Sequence, residues 1–412
     1  MNTCRSRLTI SSLLLFLILI AAPVKSQHIR SQYPLMLRNA YFEINIGYIN
    51  YPFTNEHLLE GYEAESIRIP HTAVRIIPFG YHINKYFSAQ ISYMRPVLWV
   101  QYSNVNGDGS NRSVFMNIAG ATLKGQLPLG EKFSVYGEAG LGLITRKGIK
   151  FGYAPNQIQI MENTVYASIL SGAGIKYKPN EKWDFMLSAA FTPANDKNIQ
   201  PHSVFYSAGF AFNMLPLGEE KVVRNENSPY AFPHNMVQIG YTTNSLGYGV
   251  NNFFSNEKFP VFWGGEAEIK EGFSIMYQRN AFHTYRTVAL DWVLSFSHWT
   301  STVNEQRFWT LSIFPVLRFN LIRTKPVDLY FNYSVAGPTY ISGLNIDGAL
   351  TGPHFTFQDF MGIGGYFGHK RNINVDIRIM HYSNGNLSPE NVGVKIPLTF
   401  SLGYTFADRN GK

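Results

Sequence analysis

The sequence predicts an all-β membrane protein built as two tandem eight-stranded antiparallel transmembrane β-barrels, and three observations predict it. Charged residues are 15% of the 412 and hydrophobic residues 45%, yet mean hydropathy is only −0.10. A soluble domain carries roughly 25% charged residues, and a helical membrane protein is far more apolar. Strands with one greasy and one polar face average to such a value. Aromatics are heavy, with 31 Phe, 25 Tyr and 6 Trp beside 35 Gly, which is the composition of a barrel with aromatic girdles. Period-two alternation then dominates after residue 40, and on a strand it sends each class of side chain to its own face.

The N-terminus reads as a secretory signal over residues 1–26. Arg5 and Arg7 make a basic start, about twelve apolar residues run from Leu13 to Val24, and Val24 and Ser26 precede a cut before Gln27. That run is too short to cross a bilayer as a helix, and no later stretch is long enough. Cys4, the single cysteine, precedes the apolar run, so it is no lipoprotein anchor and leaves with the signal. The mature chain then has no disulfide and no thiolate chemistry. Loss of Arg5, Arg7 and Lys25 lowers the formal charge from +8 to +5, and no basic run points to nucleic acid.

Strands are expected near 40–51, 69–83, 86–103, 112–128, 132–147, 163–177, 183–193 and 202–214. In the last of these Tyr206, Ala208, Phe210 and Phe212 share one face, and Ser207, Gly209, Ala211 and Asn213 the other. Short turns such as 178–182 alternate with longer polar loops such as Ser103 to Asn111, as in a barrel with tight turns at one rim. Residues 215–235 break the pattern with Pro216, Pro229, Pro233 and the cluster Glu219-Glu220-Lys221, and read as a linker between a first barrel at 27–214 and a second at 236–412. About eight further strands follow. The last alternates Ile396, Leu398, Phe400, Leu402, Tyr404 and Phe406 with Lys395, Pro397, Thr399, Ser401, Gly403 and Thr405.

Both halves end alike, in Ala208-Gly209-Phe210-Ala211-Phe212 and Leu402-Gly403-Tyr404-Thr405-Phe406. A closing strand with alternating aromatics resembles the one that outer-membrane assembly machinery recognises. Two of them favour two barrels, each closed because lipid cannot satisfy an open edge. One sixteen-stranded barrel is the alternative. Two soluble sandwiches are disfavoured by the lipid-like faces and low charge.

Little of the chain carries chemistry. Phosphate loops, CxxC, HExxH and the G-x-S-x-G elbow are absent from the sequence, and His71, His82 and His298 stand alone. One strand differs, Asn374 to Asn384. Val375, Ile377 and Ile379 form its lipid face, Asp376 and Arg378 face the interior, and parity carries His381 and Ser383 onto the lipid side at the strand's end. An imidazole near a hydroxyl is the minimum that activates a serine, and a membrane-facing pair takes a membrane lipid as its substrate. The alternative is that both are rim residues where the strand leaves the bilayer.

From about Val288 onward the chain resembles the lipid A 3-O-deacylase family of outer-membrane barrels. The resemblance rests on His381-Tyr382-Ser383-Asn384, on Asn391-Val392-Gly393, and on Phe357-Gln358-Asp359 leading to Gly362-Ile363-Gly364. The first half resembles small eight-stranded outer-membrane barrels in general. The family implies hydrolysis of the ester-linked acyl chain at the 3-position of lipid A in the bacterial outer membrane. Ser383 would be nucleophile, His381 general base and Asn391 oxyanion donor, Asn384 would support the loop or the same oxyanion hole, and no metal or other cofactor is required. Lipid A or lipopolysaccharide is the implied partner.

One departure stands out. The family places a Glu after the Asn-x-Gly turn to orient the His, and here that position is Lys395, a cation that would depress the imidazole's basicity. Two acids can substitute: Glu390 in the turn, and Asp359, which lies opposite Ser383 if the hairpin centres near Arg371. Three outcomes stay open: an enzyme with a relocated acid, a slow dyad, or an inert structural or binding barrel. A porin is the reading attached to the sixteen-stranded alternative.

Overall fold

The computed structural model describes residues 30–152, 157–255 and 264–407; the expected signal over 1–26 lies outside them. Eight strands make the first barrel: β1 (Ala40–Asn50), β2 (Thr72–His82), β3 (Phe87–Pro96), β4 (Asn111–Leu129), β5 (Phe133–Lys147), β6 (Thr164–Tyr177), β7 (Trp183–Thr192) and β8 (Ser203–Met214). Eight more make the second: β9 (Asn235–Thr243), β10 (Ala267–His283), β11 (Val288–Ser301), β12 (Arg307–Arg323), β13 (Val327–Ile341), β14 (Phe355–Phe367), β15 (Ile373–Ser383) and β16 (Val394–Phe406). Sequential strands pair antiparallel. β8 returns to β1, from Ala40↔Met214 to Asn50↔Val204, and β16 returns to β9, from Asn235↔Phe406 to Thr242↔Thr399. Each ring therefore closes on itself, and the sixteen-stranded alternative is not formed, because β8 hands its edge to β1 and not to β9.

Alternation explains the burial. On β8 Tyr206 and Phe210 are exposed outward while Ser207 and Asn213 are buried inward; on β16 Phe400, Leu402, Tyr404 and Phe406 are outward over buried Thr399, Ser401 and Thr405. The interiors are filled by polar and charged side chains, many of them bonded to one another. In the first barrel Glu138 takes Arg75 and Gln90, and Lys124 meets Glu43 at 3.0 Å. In the second, Asp376 takes Arg378 at 2.5 Å and Asn332 at 2.6 Å, while Arg378 reaches Gln238 at 3.0 Å. Toward the loop rim an apolar plug takes over, with Trp299, Phe314, Phe360 and Tyr382 all buried.

Three expected elements come out differently. The strand near 86–103 is interrupted at Pro96, which has no amide hydrogen to continue a ladder. Val100–Val105 is a separate strand, paired with Ala64–Arg68 on one side and with the start of β4 on the other, so the loop from Ser103 onward is part of a hairpin. The linker carries a helix, α1 (Glu219–Glu226), acidic at its start and with Arg224 in its last turn, as the helix dipole favours. In β16 a register shift against β15 between Arg378↔Thr399 and Met380↔Ile396 breaks the parity. Ile396 and Val394 turn inward into the apolar plug, and the face expected of Lys395 and Ile396 is reversed.

Tight turns (83–86, 130–132 and 178–182 in the first barrel; 284–287, 324–326 and 368–372 in the second) lie at one rim, and the longer connections at the other. The linker is docked at the turn rim. Asn225 donates to the Ser31 carbonyl at 3.0 Å, Arg30 to the Phe232 carbonyl at 3.0 Å and to Asn280 at 3.0 Å, and Arg323 lies 4.2 Å over the Phe232 ring.

Candidate active site on the outer face of the second barrel

On β15 Asn374, Asp376, Arg378, Met380 and Tyr382 point into the barrel, so His381 and Ser383 share the outer face with Val375, Ile377 and Ile379, as parity requires. Tyr382 is the anchor between them. Its hydroxyl meets Thr310 Oγ1 at 3.0 Å, and its ring packs edge-on to Trp299 at 6.2 Å. The outer face is not bare lipid surface here, however. His381 is only 4% exposed and Ile379 2%. The described parts of the β9–β10 connection lie against them: α2 (Gly249–Ser255) ties Asn251 to the Ile396 carbonyl at 2.9 Å, and Phe254 packs on Met361 and Ile379. The Gly264 carbonyl then stands 3.0 Å from His381 Nε2. The expectation of a histidine open to lipid is corrected accordingly: it is on the outer side, under a flap of its own chain.

The acid beside the ring is Asp359. The β14–β15 hairpin pairs Phe367 with Ile373 and so centres at Lys370, not Arg371, which sets Asp359 opposite His381 and Phe357 opposite Ser383. Asp359 Oδ2 lies 3.8 Å from His381 Nδ1, and its Oδ1 accepts the Ala336 N–H at 2.5 Å. That N–H is supplied by a bulge in β13, where Ala336 holds φ +56°. A non-glycine residue there is strained, and such strain clusters at functional sites.

On the ring's other side, Lys395 pairs directly with His381 across β15 and β16. Its ammonium turns away to Glu268 at 2.8 Å and lies 5.1 Å over the Tyr248 ring. Burial pushes the Tyr248 phenol up to about 12, so the ring stays neutral. Glu268 is placed there because β9 ends at Thr243, which lets the start of β10 pair parallel with β16, Glu268↔Lys395. Four adjacent positions thus carry Asp359, His381, Lys395 and Glu268 in one row, an acid at each end and the two bases between, and the cation opposite the imidazole has its own counter-ion.

The motif loop is self-bonded. Asn391 Oδ1 accepts the Asn384 N–H at 2.7 Å, and Asn391 Nδ2 donates to Asn386 Oδ1 at 2.8 Å. Asn384 Nδ2 donates to the Glu390 carbonyl at 2.7 Å. The Glu390 carboxylate accepts from Ser388 at 3.2 Å, so its placed contact lies within the loop. Asn391 keeps one N–H beyond the bond to Asn386. Ser383 is half-buried, and among the described residues its hydroxyl has no hydrogen-bond partner. A Cβ at Gly393 would come within 2.6 Å of His381 Nε2 and 2.5 Å of the Gly264 oxygen, which is why glycine stands there. No group of three His, Cys, Asp or Glu suited to a metal occurs among the described residues. Sequence reading missed Ala336, Glu268 and Gly264; a bulge, a short strand and a folded-back loop bring them in, and period-two counting sees none of these.

The fold and this outer-face site define a class: the chain is a bacterial outer-membrane β-barrel protein with two barrels. Within that class, the family model of lipid A 3-O-deacylase (PagL) matches residues 271–405, and that of the OmpA-like transmembrane domain matches 59–209, so the second barrel is deacylase-like at family level. No curated protein matches the chain. Among solved structures, the outer membrane enzyme PagL is 15% identical, over 42% of this chain and 99% of its own, with a TM-score of 0.31. The N-terminal β-barrel domain of Pseudomonas aeruginosa OprF is 16% identical over 43% and 98%, with a TM-score of 0.27. Ail, the attachment invasion locus protein of Yersinia pestis, is 15% identical over 42% and 99%, with a TM-score of 0.26.

Proposed function

We propose that the second barrel is a serine esterase that removes an ester-linked acyl chain, at the 3-position, from lipid A in the outer leaflet. The observation that carries this reading is the Asp359 carboxylate held beside His381 on the outer face, within the stretch matched by the deacylase family model. Asp359, fixed by the Ala336 N–H, orients the ring through Nδ1 and stabilises the imidazolium. Nε2 takes the Ser383 proton as the hydroxyl oxygen attacks the ester carbonyl, and returns it to the departing sugar oxygen. Water then cleaves the acyl-serine with His381 again as base. The free N–H of Asn391 serves the oxyanion, a contribution of about 3 kcal/mol for a well-placed donor, and Asn384 holds the loop.

This requires the ring proton, which Nε2 donates to the Gly264 carbonyl, to pass to Nδ1 on the Asp359 side, and the freed Nε2 to turn to the Ser383 hydroxyl when lipid enters; catalytic bonds commonly tighten only in the complex. The reaction needs no cofactor. β16, ending in outward aromatics, is the element offered to the assembly machinery. The test is the mass spectrum of purified lipid A after incubation with the full-length protein. Wild type should release a hydroxy fatty acid, and Ser383→Ala should not, while still folding. Equal, unchanged spectra would leave an inert structural or binding barrel, the reading favoured by the Gly264 carbonyl already seated on Nε2.

A further inference from the structure

The first barrel has no chemistry of its own in the mechanism above, but two polar contacts join its lipid-facing wall to the motif loop. Tyr93 on β3 donates its hydroxyl to the Gly385 carbonyl at 3.0 Å, and Asn117 on β4 donates to the Asn386 carbonyl at 2.8 Å. Both side chains point out of the first barrel, since Ser92, Met94, Met116 and Ile118 beside them are the buried interior residues. A carboxamide on a lipid-facing wall is costly unless it is paired; Asn117 is 1% exposed under the loop, its N–H paired with the Asn386 carbonyl and its Oδ1 without a partner among the described residues.

From there the bonds run inward. Asn386, fixed at its backbone by Asn117, accepts from Asn391 at 2.8 Å, and Asn391 accepts the N–H of Asn384, the residue next to Ser383. Asn386 itself sits at φ +56° and Gly385 at +65°, a left-handed pair that an unsupported loop does not favour. At the opposite rim the linker bonds the segment before β1 and packs on the second barrel. The loop cannot shift relative to the first barrel without breaking the bonds from Tyr93 and Asn117.

We propose that the first barrel is a positioning element for the second: Tyr93 and Asn117 set the motif loop so that Asn391 presents its free N–H beside Ser383. This rests on the esterase reading of that site. Neither residue touches the reacting atoms.

The test is the full-length chain carrying Tyr93→Phe together with Asn117→Leu, substitutions that keep size, remove both donors together with the unpartnered Asn117 oxygen, and leave no polar group facing lipid. Both chains are assayed on purified lipid A, and amide exchange is followed across 384–391. Heat-modifiable migration checks that the barrels are folded. The expected result is faster exchange across the loop and a fall in kcat of about tenfold to a hundredfold, with KM within about twofold because substrate binding is not touched. Asn117→Gln, which keeps a donor, should recover part of the kcat. Unchanged exchange overturns the clamp whether or not the protein is active. Faster exchange with unchanged kcat overturns its link to catalysis. Faster exchange in a chain whose wild type releases no fatty acid keeps the clamp and ends the esterase reading.

Discussion

Asp359 decides whether the site has an acid, and its environment is fixed from both sides. One oxygen is held by the Ala336 N–H, the other faces the imidazole, and Lys395 is drawn off by Glu268. Asp359→Asn keeps the bond to Ala336 through its carbonyl oxygen but loses the charge that stabilises the imidazolium and selects the ring's tautomer. In a serine protease the matching change costs about 10⁴-fold in kcat; in this site a loss on the order of 10²- to 10⁴-fold is expected, measured as fatty-acid release from lipid A, with the barrel's folding intact. Activity unchanged in Asp359→Asn would remove Asp359 from the mechanism and return attention to Glu390. His381, Ser383 and their common face were legible in the sequence because alternation along Val375, Ile377 and Ile379 continues unbroken to the strand's end. The acid's partner was not: an error of one residue in the hairpin centre moves the cross-strand partner by two positions, from Ser383 to His381.

At the scale of elements, alternation is a reliable guide to a strand's faces only until a bulge. β8 runs without one, and all its outward aromatics were legible. β16 has one near Pro397, and there Lys395 and Ile396 trade faces. The loops carry still less pattern, yet some are as firmly tied as strands. Between β13 and β14, Asp347 accepts from Ser301 Oγ at 2.7 Å, Val303 N at 2.9 Å and Asn304 N at 2.8 Å, fastening this loop to the β11–β12 connection. Burial pushes the Asp347 carboxyl up, but these donors outweigh it and hold it below the ordinary carboxylate value. A depressed pKa stabilises the folded loop above the unfolded value of about 3.9 and is lost as pH falls through the lower folded value. Amide exchange across 302–306 and 342–354 is therefore expected to be slow near pH 6 and to rise, beyond its intrinsic acid dependence, as pH falls below the ordinary aspartate value. Asp347→Asn should show the faster exchange at both values, and a wild-type loop whose relative protection ignores pH would count against the tie.

At the scale of the whole molecule, the number of barrels was legible and their mutual fixing was not. Two aromatic closing strands separated by a proline-rich break announce two closed rings. Nothing in composition announces that Asn225, Arg30 and Arg323 lock the break to one rim, or that Tyr93 and Asn117 lock the other, since each contact spans scores of residues. Closure into eights also settles conduction. A barrel of eight strands has an interior only wide enough for its own side chains, and here that interior is charged but paired. Asp376, Arg378, Gln238 and Asn374 form one cross-linked layer in the second barrel, Glu138, Arg75 and Gln90 another in the first, and Trp299 with Phe314 and Phe360 plugs the second barrel's loop end. An ion entering would have to break these bonds without replacing them. The full-length protein in a planar bilayer should therefore show no steady porin-like conductance. Replacing Arg378 and Asp376 together by Ala removes the layer but leaves the aromatic plug, so conductance should stay low in that variant also. A large steady current from wild type would mean that the two rings do not stay closed in lipid.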